Sequence, residues 1–216
     1  MKKKLFALLL ASASLFSVAQ ARFYIGVDGA YTSQGLPAIQ EKGKGIEFHT
    51  ISPSGLKDLI KNGSGGYSVG VVLGSESFWG KYFGMRWGIG AGYASVKIKE
   101  KNNGETTKTP IDTLTSEISV DMMVNFVNTG SFSFGVFGGV GAEYQYVLNN
   151  GDPKKHALDF VGRTGLSTLL GGHHRMEVFA KLPFASMSSK FSSGDSNAFL
   201  YKMSKVSFGA SYKFVF

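Results

Sequence analysis

The sequence predicts an all-β protein, an eight-stranded antiparallel transmembrane β-barrel with short periplasmic turns and longer extracellular loops. Apolar and polar residues alternate along most of the chain, which is typical of strands with one apolar and one polar face. Short and long connections alternate between these strands, as they do in barrels of the bacterial outer membrane. The chain also ends in an amphipathic strand whose last residue is the aromatic Phe216, which is unusual for a frayed soluble terminus.

The first 21 residues have the pattern of a cleavable signal peptide. Three lysines at residues 2–4 precede an apolar stretch over residues 5–18, and Ala19 and Ala21 form a small-x-small cleavage site. We therefore expect export, cleavage after Ala21 and a single barrel domain over residues 22–216. Because no later apolar run has the length of a membrane helix, membrane insertion would require a closed barrel.

The first strand is predicted over residues 22–32, where apolar and small or polar residues alternate. Residues 33–64 form the longest connection, since two prolines argue against a strand there. Within this connection, Ser52 and Pro53 have the pattern of a helix start, and the Asn-Gly pair that begins at Asn62 is a stop signal. The segment is interpreted as a short helix in a loop, with an irregular loop as the alternative.

Six more alternating segments predict strands two to seven, and an eighth strand runs to Phe216 and closes against the first. The six segments are residues 65–74, 79–99, 114–127, 132–147, 158–170 and 174–187. Short turns are expected at 74–77, 128–131 and 171–172, and long polar connections at 100–112, 149–157 and 188–199. An even strand count places both termini on the short-turn, periplasmic side and the long connections outside. Strands longer than the ~9–11 residues of a tilted span should project beyond the membrane as hairpins.

Alternation alone does not decide which face points into the barrel, because a soluble ligand-carrying barrel would put its apolar face inside. Here the apolar face is aromatic-rich on every strand and would overfill an eight-stranded interior. The other face carries glycine, serine and charge, so it is predicted to line the lumen. Its charge network comprises six acids and six bases: Asp28, Glu117, Asp121, Glu143, Asp159 and Glu177, with Arg86, Arg163, Arg175, Lys181, Lys205 and Lys213. Balanced charge is expected because an unpaired buried charge is costly.

Two ion pairs are expected from the predicted hairpins, Glu143 with Arg163 and Glu177 with Lys213. The same charges could serve a proton or ion path, but eight strands enclose only enough space for side chains, which favours a plugged lumen. Four aromatic residues near a short turn are interpreted as an interfacial girdle rather than a ligand platform: Trp79, Tyr82, Phe83 and Trp87.

The sequence contains no pattern that predicts catalytic, cofactor-binding or metal-binding residues. Gly88, Gly90 and Gly92 are spaced like part of a dinucleotide fingerprint, but they lie within a strand, whereas the fingerprint requires a following helix. Small inward residues that ease the curvature of a tight barrel are the preferred interpretation. His173 and His174 are adjacent on a strand or turn and point apart, which does not suit a shared metal ion.

Three segments resemble the Helicobacter outer-membrane protein family. Residues 82–93, YFGMRWGIGAGY, resemble its FGLRYYG strand, and residues 165–183, GLSTLLGGHHRMEVFAKLP, resemble its GLR…HHGIEFGVKIP hairpin. Residues 212–216, YKFVF, match its aromatic C-terminus, so the resemblance covers about the last two thirds of the chain. Known members of that family are adhesins, porins and barrels of unassigned role, so the resemblance implies one of these roles. The best-known adhesins of the family carry a large surface domain, often with paired cysteines, whereas this chain has no cysteine.

We therefore expect a non-enzymatic integral outer-membrane barrel that supports the envelope or contacts other surfaces through its loops. The alternatives are a narrow porin for small solutes and a lipid A-modifying enzyme, which would need a serine, a histidine and a carboxylate near the lipid boundary. The net charge of +8, which falls to about +5 without the three signal lysines, is dispersed and favours lipopolysaccharide over nucleic acid. Expected partners are outer-membrane lipid and the barrel-assembly machinery, which would recognise Tyr212, Phe214 and Phe216. A surface or host ligand is not identified by the sequence, and we expect a monomer without a cofactor.

Overall fold

The computed structural model describes residues 21–34, 46–102, 105–148, 155–193, 196–200 and 205–216. The predicted signal peptide, apart from Ala21, lies outside these residues and remains a prediction. Parts of the predicted connections at 33–64, 100–112, 149–157 and 188–199 also lie outside them. Among the described helices, none is long and apolar enough to cross a membrane.

The described residues form ten strands and one helix. In chain order they are β1 (Arg22–Gln34), β2 (Ile46–Thr50), α1 (Pro53–Asn62), β3 (Ser64–Trp79), β4 (Phe83–Asn102), β5 (Glu105–Asn128), β6 (Ser133–Val147), β7 (Lys155–Leu170), β8 (His174–Ser193), β9 (Ser196–Leu200) and β10 (Lys205–Val215).

Eight of these strands close into an antiparallel barrel, as predicted. The order around the wall is β1-β3-β4-β5-β6-β7-β8-β10, and β10 pairs with β1 from Tyr24↔Val215 to Gln34↔Lys205. The last strand therefore closes against the first. Since closure leaves the wall without a free edge, the backbone groups of the barrel strands are hydrogen-bonded to one another.

One predicted short turn is displaced along the chain. Residues 74–77 do not turn, because β3 continues to Trp79 and the chain reverses at residues 80–82, where Gly80 has a φ of +72°. Gly74, Ser75 and Ser77 suggested a turn in the sequence, but they are small residues within β3. Glu76 lies among them and points into the lumen opposite Arg86. The other two short turns lie where they were predicted, with positive φ at Gly130 and at the Gly171–Gly172 pair.

The long connections carry more regular structure than predicted. Residues 100–112 belong to a hairpin that stays paired to Asn102↔Glu105, which agrees with the expected projection of long strands. β8 and β9 form a second hairpin within the predicted 188–199 connection. The helix predicted after Ser52 is confirmed as α1, and the Ser52 hydroxyl accepts a hydrogen bond from the Gly55 N–H at 3.2 Å. β2 was not predicted, because its partner is an edge that only the folded barrel provides.

β2 pairs with the part of β8 that lies beyond the end of the β8–β10 pairing. Pairing between β8 and β10 ends at Lys181↔Ser207, and the register of β8 against β7 then shifts at a bulge next to Pro183. Proline cannot donate a backbone hydrogen bond, which favours such an interruption. Beyond the bulge, residues 185–189 pair with β2, and α1 lies against β1 and β10. Through β2 and α1, the first long connection thus completes the wall at the end of the barrel opposite the short turns.

The apolar face of the wall points outward and the polar face inward. Val27, Val140 and Phe83 illustrate the outward face, with 55–57 % of each side chain exposed. The four predicted girdle aromatics also point outward near the short turn after β3, and all are exposed: Trp79, Tyr82, Phe83 and Trp87. An apolar exterior of this kind is compatible with lipid and not with water.

Inward aromatic rings lie over glycines of neighbouring strands. The Tyr24 hydroxyl donates to the Trp87 carbonyl oxygen at 3.0 Å and covers Gly88, where a Cβ atom would lie 2.5 Å from it. Phe137 lies over Gly165 in the same way, with its ring carbons 2.8 Å from a Cβ placed there. Rings of this size fit a narrow barrel because the facing residues have no side chain.

We expect Gly165→Ala to destabilise the barrel by about 1–3 kcal/mol, the usual cost of overpacking a filled interior. Its Cβ would lie 2.2 Å from the Val178 carbonyl oxygen as well as against Phe137. The measurement is urea unfolding of the protein refolded in lipid vesicles. Gly162→Ala on the same strand is the matched control, since its Cβ would lie 3.7 Å from its nearest neighbour. Equal stabilities of the two variants would contradict the packing role of Gly165.

Candidate functional site: the charged lumen

The charged residues predicted for the lumen all lie on the inward face of the barrel strands. Nine of the twelve are buried, and Asp28, Glu117 and Lys181 are half-buried. Their positions follow from the two-residue alternation of each strand, which sends every second side chain inward. A concentration of charge in so narrow a space can exist only if the charges pair.

Arg86 and Glu177 form the centre of the network. Arg86 donates from Nε and Nη2 to Asp121 Oδ2 at 3.0 and 2.8 Å, and its Nη1 donates to Glu177. Glu177 also accepts hydrogen bonds from the Lys213 ammonium and from the Ser167 hydroxyl, the latter at 3.1 Å. The predicted pair of Glu177 and Lys213 therefore forms, and both side chains are nearly inaccessible to solvent.

A second group of charges joins the first through Asp121. Arg163 Nη1 donates to Glu117 Oε1 at 2.5 Å, and Arg163 Nε lies 3.7 Å from Asp121 Oδ1. Glu117 in turn accepts from Lys181. The result is an unbroken series of ion pairs contributed by β10, β8, β4, β5 and β7, which we call the lumen plug: Lys213, Glu177, Arg86, Asp121, Arg163, Glu117 and Lys181. Because β4 and β8 lie four strands apart in a wall of eight, the Arg86–Glu177 pair spans the lumen from one side to the other.

At the short-turn end, the network includes two residues that the sequence did not identify. Arg175 Nη2 and Arg22 Nη2 both donate to Glu76 Oε1, at 2.9 and 2.7 Å. Arg175 also donates to Ser167, which links this cluster to Glu177. Glu76 was missed because it fell in the wrongly placed turn, although it shares the inward parity of Val72.

At the opposite end, Glu143 pairs with Lys205 at 2.6 Å, and Gln145 Nε2 donates to Asp159 at 2.9 Å. The predicted pair of Glu143 and Arg163 is wrong as an ion pair, because Arg163 binds Glu117 and Asp121 instead. The error has a geometric cause. The strand partner of Glu143 is Asp159, and long side chains in a narrow lumen reach across it to other strands.

Asp28 lines a small cavity beside the plug. The cavity has a volume of about 50 Å³ and is also lined by Glu117, Glu143, Lys181 and Lys205. A space of this size accommodates a few water molecules and no larger solute, since one water needs roughly 10–15 Å³ of such volume.

Three of the described histidines have hydrogen-bond contacts to a tyrosine hydroxyl or to a backbone oxygen. His174 Nδ1 lies 2.7 Å from the Tyr212 hydroxyl, and His173 Nδ1 lies 2.8 Å from the Val215 carbonyl oxygen. His156 contacts the Tyr144 hydroxyl. No group of three or more potential metal ligands occurs among the residues that the structure describes.

The chain matches a family model described as Helicobacter outer membrane protein. The match covers residues 70–216, which is more than half of the chain. By sequence alone, no curated protein matches the chain.

Several solved structures are similar to this barrel at low sequence identity. Neisserial surface protein A (NspA) is 11 % identical with a TM-score of 0.46, covering 90 % of this chain and 97 % of its own. OprG from Pseudomonas aeruginosa is 14 % identical with a TM-score of 0.45, covering 91 % and 97 %. Ail, the attachment invasion locus protein of Yersinia pestis, is 12 % identical with a TM-score of 0.35, covering 90 % and 99 %.

We expect Glu177→Gln to destabilise the barrel by about 3–5 kcal/mol, because it leaves the buried Arg86 and Lys213 without their shared counter-charge. Urea unfolding in lipid vesicles measures the loss. The double variant Glu177→Gln/Lys213→Gln should lose less than the sum of the two single variants, since the two side chains interact directly. Asp58→Asn on the exposed surface of α1 is the control, with an expected change within ~0.5 kcal/mol. A Glu177→Gln variant as stable as the native protein would contradict the role of the plug.

Proposed function

Since this chain belongs to the Helicobacter outer membrane protein family, we propose that it is a non-enzymatic, non-conducting barrel that supports the outer membrane and presents its extracellular loops to other surfaces. The short turns then face the periplasm and the long hairpins face outward from the cell. From here on, these two ends are called the periplasmic and the extracellular end.

The lumen plug is the observation that carries the non-conducting assignment. A solute that passed through the barrel would have to separate buried pairs such as Arg86–Asp121 and Arg86–Glu177, whose members are almost fully shielded from solvent. Removing one partner of a buried pair typically costs about 3–5 kcal/mol, so transient opening is rare on energetic grounds. This supports the closed barrel over the narrow-porin alternative.

The contacts of the described histidines also favour a non-enzymatic barrel over a lipid A-modifying enzyme. An acyl-transfer or hydrolysis reaction uses a nucleophile next to a base that activates it. His156 and His174 contact the weakly acidic hydroxyls of Tyr144 and Tyr212, and His173 contacts a backbone oxygen, so none of these three is bonded to a serine.

The extracellular elements supply the surface that would contact other molecules. β2 pairs with β8 and α1 lies against β10 and β1, while the β4–β5 and β8–β9 hairpins extend the wall outward. Backbone pairing holds β2 and the two hairpins in place, which reduces the entropy lost when they bind a partner.

The C-terminal aromatic residues support a second part of the proposal, recognition by the barrel-assembly machinery. Tyr212 and Phe216 are exposed, and the Phe214 and Phe216 rings meet edge-on with centroids 5.2 Å apart. The Phe216 N–H also donates to the Phe23 carbonyl oxygen at 2.8 Å, so the last residue takes part in the β1–β10 seam. An exposed aromatic at this position is available for recognition before the seam closes.

In planar lipid bilayers, we expect the refolded protein to give no reproducible single-channel openings, because the plug crosses the lumen. Arg86→Ala/Asp121→Ala removes a neutral pair from the centre of the plug and should raise the frequency of openings above that of the native protein. Steady, reproducible openings of the native barrel would overturn the closed-lumen assignment and favour the porin alternative.

Deletion of Phe216 should reduce insertion into the outer membrane several-fold and leave export across the inner membrane unchanged. Phe216→Ala should behave similarly because it also lacks the ring, whereas Phe216→Tyr keeps an aromatic terminus and should insert normally. Heat-modifiable migration of the membrane fraction on gels measures folded barrel in each case. Normal insertion of the truncated chain would show that the assembly signal lies elsewhere.

A further inference from the structure

We propose that the periplasmic mouth of the barrel is a binding site for a small organic carboxylate, the carboxyl end of a short peptide. The site is a cavity lined by Arg22 and Arg175, which we call the mouth cavity. Its place on the periplasmic side rests on the proposed orientation of the barrel. The inference does not depend on whether the lumen conducts.

The mouth cavity is much larger than the cavity beside the plug. Its volume is about 340 Å³, compared with about 50 Å³ for the other. Gly80 and Gly130, in the short turns after β3 and β5, line it and are exposed, so the cavity opens at the periplasmic end. Small-molecule sites have volumes of roughly 300–1,000 Å³, so the mouth cavity can hold a small organic ligand.

Positive charge exceeds negative charge at the wall of this cavity. Arg22 and Arg175 share one carboxylate oxygen, Glu76 Oε1, so two guanidinium groups meet a single acid. Glu177, which this cluster reaches through Ser167, is already bound within the lumen plug. The Arg175 side chain is fully shielded from solvent, and a buried charge in excess is stabilised by a counter-ion. The wall therefore favours an anion.

Two polar groups of the wall are buried without a hydrogen-bond partner in the part of the chain that the structure describes. They are Arg175 Nε, whose N–H can only donate, and Ser133 Oγ. Buried polar groups in native structures usually have a partner, because leaving one unpaired is costly. A ligand rich in acceptor oxygens would supply it. Glu76 Oε2 is also unpartnered, but Glu76 does not line the cavity.

Apolar and amide groups in the wall favour an organic carboxylate over an inorganic anion. Phe78 and Leu169 line the cavity, and the Phe78 ring centroid lies 6.0 Å from the guanidinium carbon of Arg175. Asn125 adds a side-chain amide, which can both donate and accept hydrogen bonds. The carboxyl end of a peptide combines a planar carboxylate that suits guanidinium groups with an amide and an apolar side chain.

The test is isothermal titration calorimetry of the full chain, refolded in neutral detergent micelles, with N-acetylalanylalanine. We expect saturable binding at a single site. The same dipeptide with a C-terminal amide should bind about tenfold to a hundredfold more weakly, because hydrogen bonds to charged groups are the stronger ones. Inorganic phosphate should also bind more weakly than the dipeptide, because it has no apolar part to contact Phe78 and Leu169.

Two single variants test the wall of the mouth cavity. Arg22→Gln should weaken dipeptide binding about tenfold, since it removes a charged donor. Ser133→Ala should weaken binding about twofold to tenfold without loss of stability, since the hydroxyl that it removes has no partner in the described structure. Lys81→Gln and Ser131→Ala are the matched controls and should keep the native affinity, because both residues are exposed near the same end and do not line the cavity. Heat-modifiable migration verifies that each variant is folded.

Absence of saturable binding by the native barrel, or equal affinity for the acid and the amide, would overturn the proposal. Native affinity in both Arg22→Gln and Ser133→Ala would overturn it too, because the dipeptide would then bind elsewhere. Equal losses in Arg22→Gln and Lys81→Gln would show attraction by general positive charge and no site. Tighter binding of phosphate than of the dipeptide would refute the carboxylate assignment. Bilayer openings by the native barrel would refute the closed lumen and leave this titration interpretable.

Discussion

The pairing of β1 with β10 is the constraint on which the rest of this structure depends. A sheet in lipid must have its backbone groups hydrogen-bonded, so the wall has to close, and here it closes over eleven residue pairs from Tyr24↔Val215 to Gln34↔Lys205. Closure with eight strands leaves an interior wide enough for side chains only. Every second residue of each strand must then fit that interior, and every charge among them must find a partner inside it.

Different residues fill the interior and pair its charges. The rings of Tyr24 and Phe137 lie over glycines of neighbouring strands and fill part of the lumen, and Arg86 and Glu177 occupy the centre of the plug. The periplasmic cluster around Glu76 connects to the same plug through Ser167, which bonds both Arg175 and Glu177. Ion pairs and hydrogen bonds therefore run without a break from the Glu76 cluster to Lys181.

The extracellular end is built less uniformly, because β8 changes partner near Pro183. β10 no longer follows it there, and β2 from the first long connection takes its place as a neighbour. A segment that belongs to a loop in sequence thus belongs to the wall in space.

The sequence by itself determined the number of barrel strands, the inward and outward faces, and the inward position of the charged residues, because a strand alternates sides with a strict period of two. It also located the turns at Gly130 and Gly171–Gly172 and the helix that begins at Pro53, whose signals are local. Only the tertiary structure decided which charges pair: Arg163 reaches Glu117 and not Glu143, because side chains cross the lumen at distances that sequence spacing does not encode. It likewise decided the pairing of β2, since the edge that β2 binds exists only once β8 and β10 have diverged.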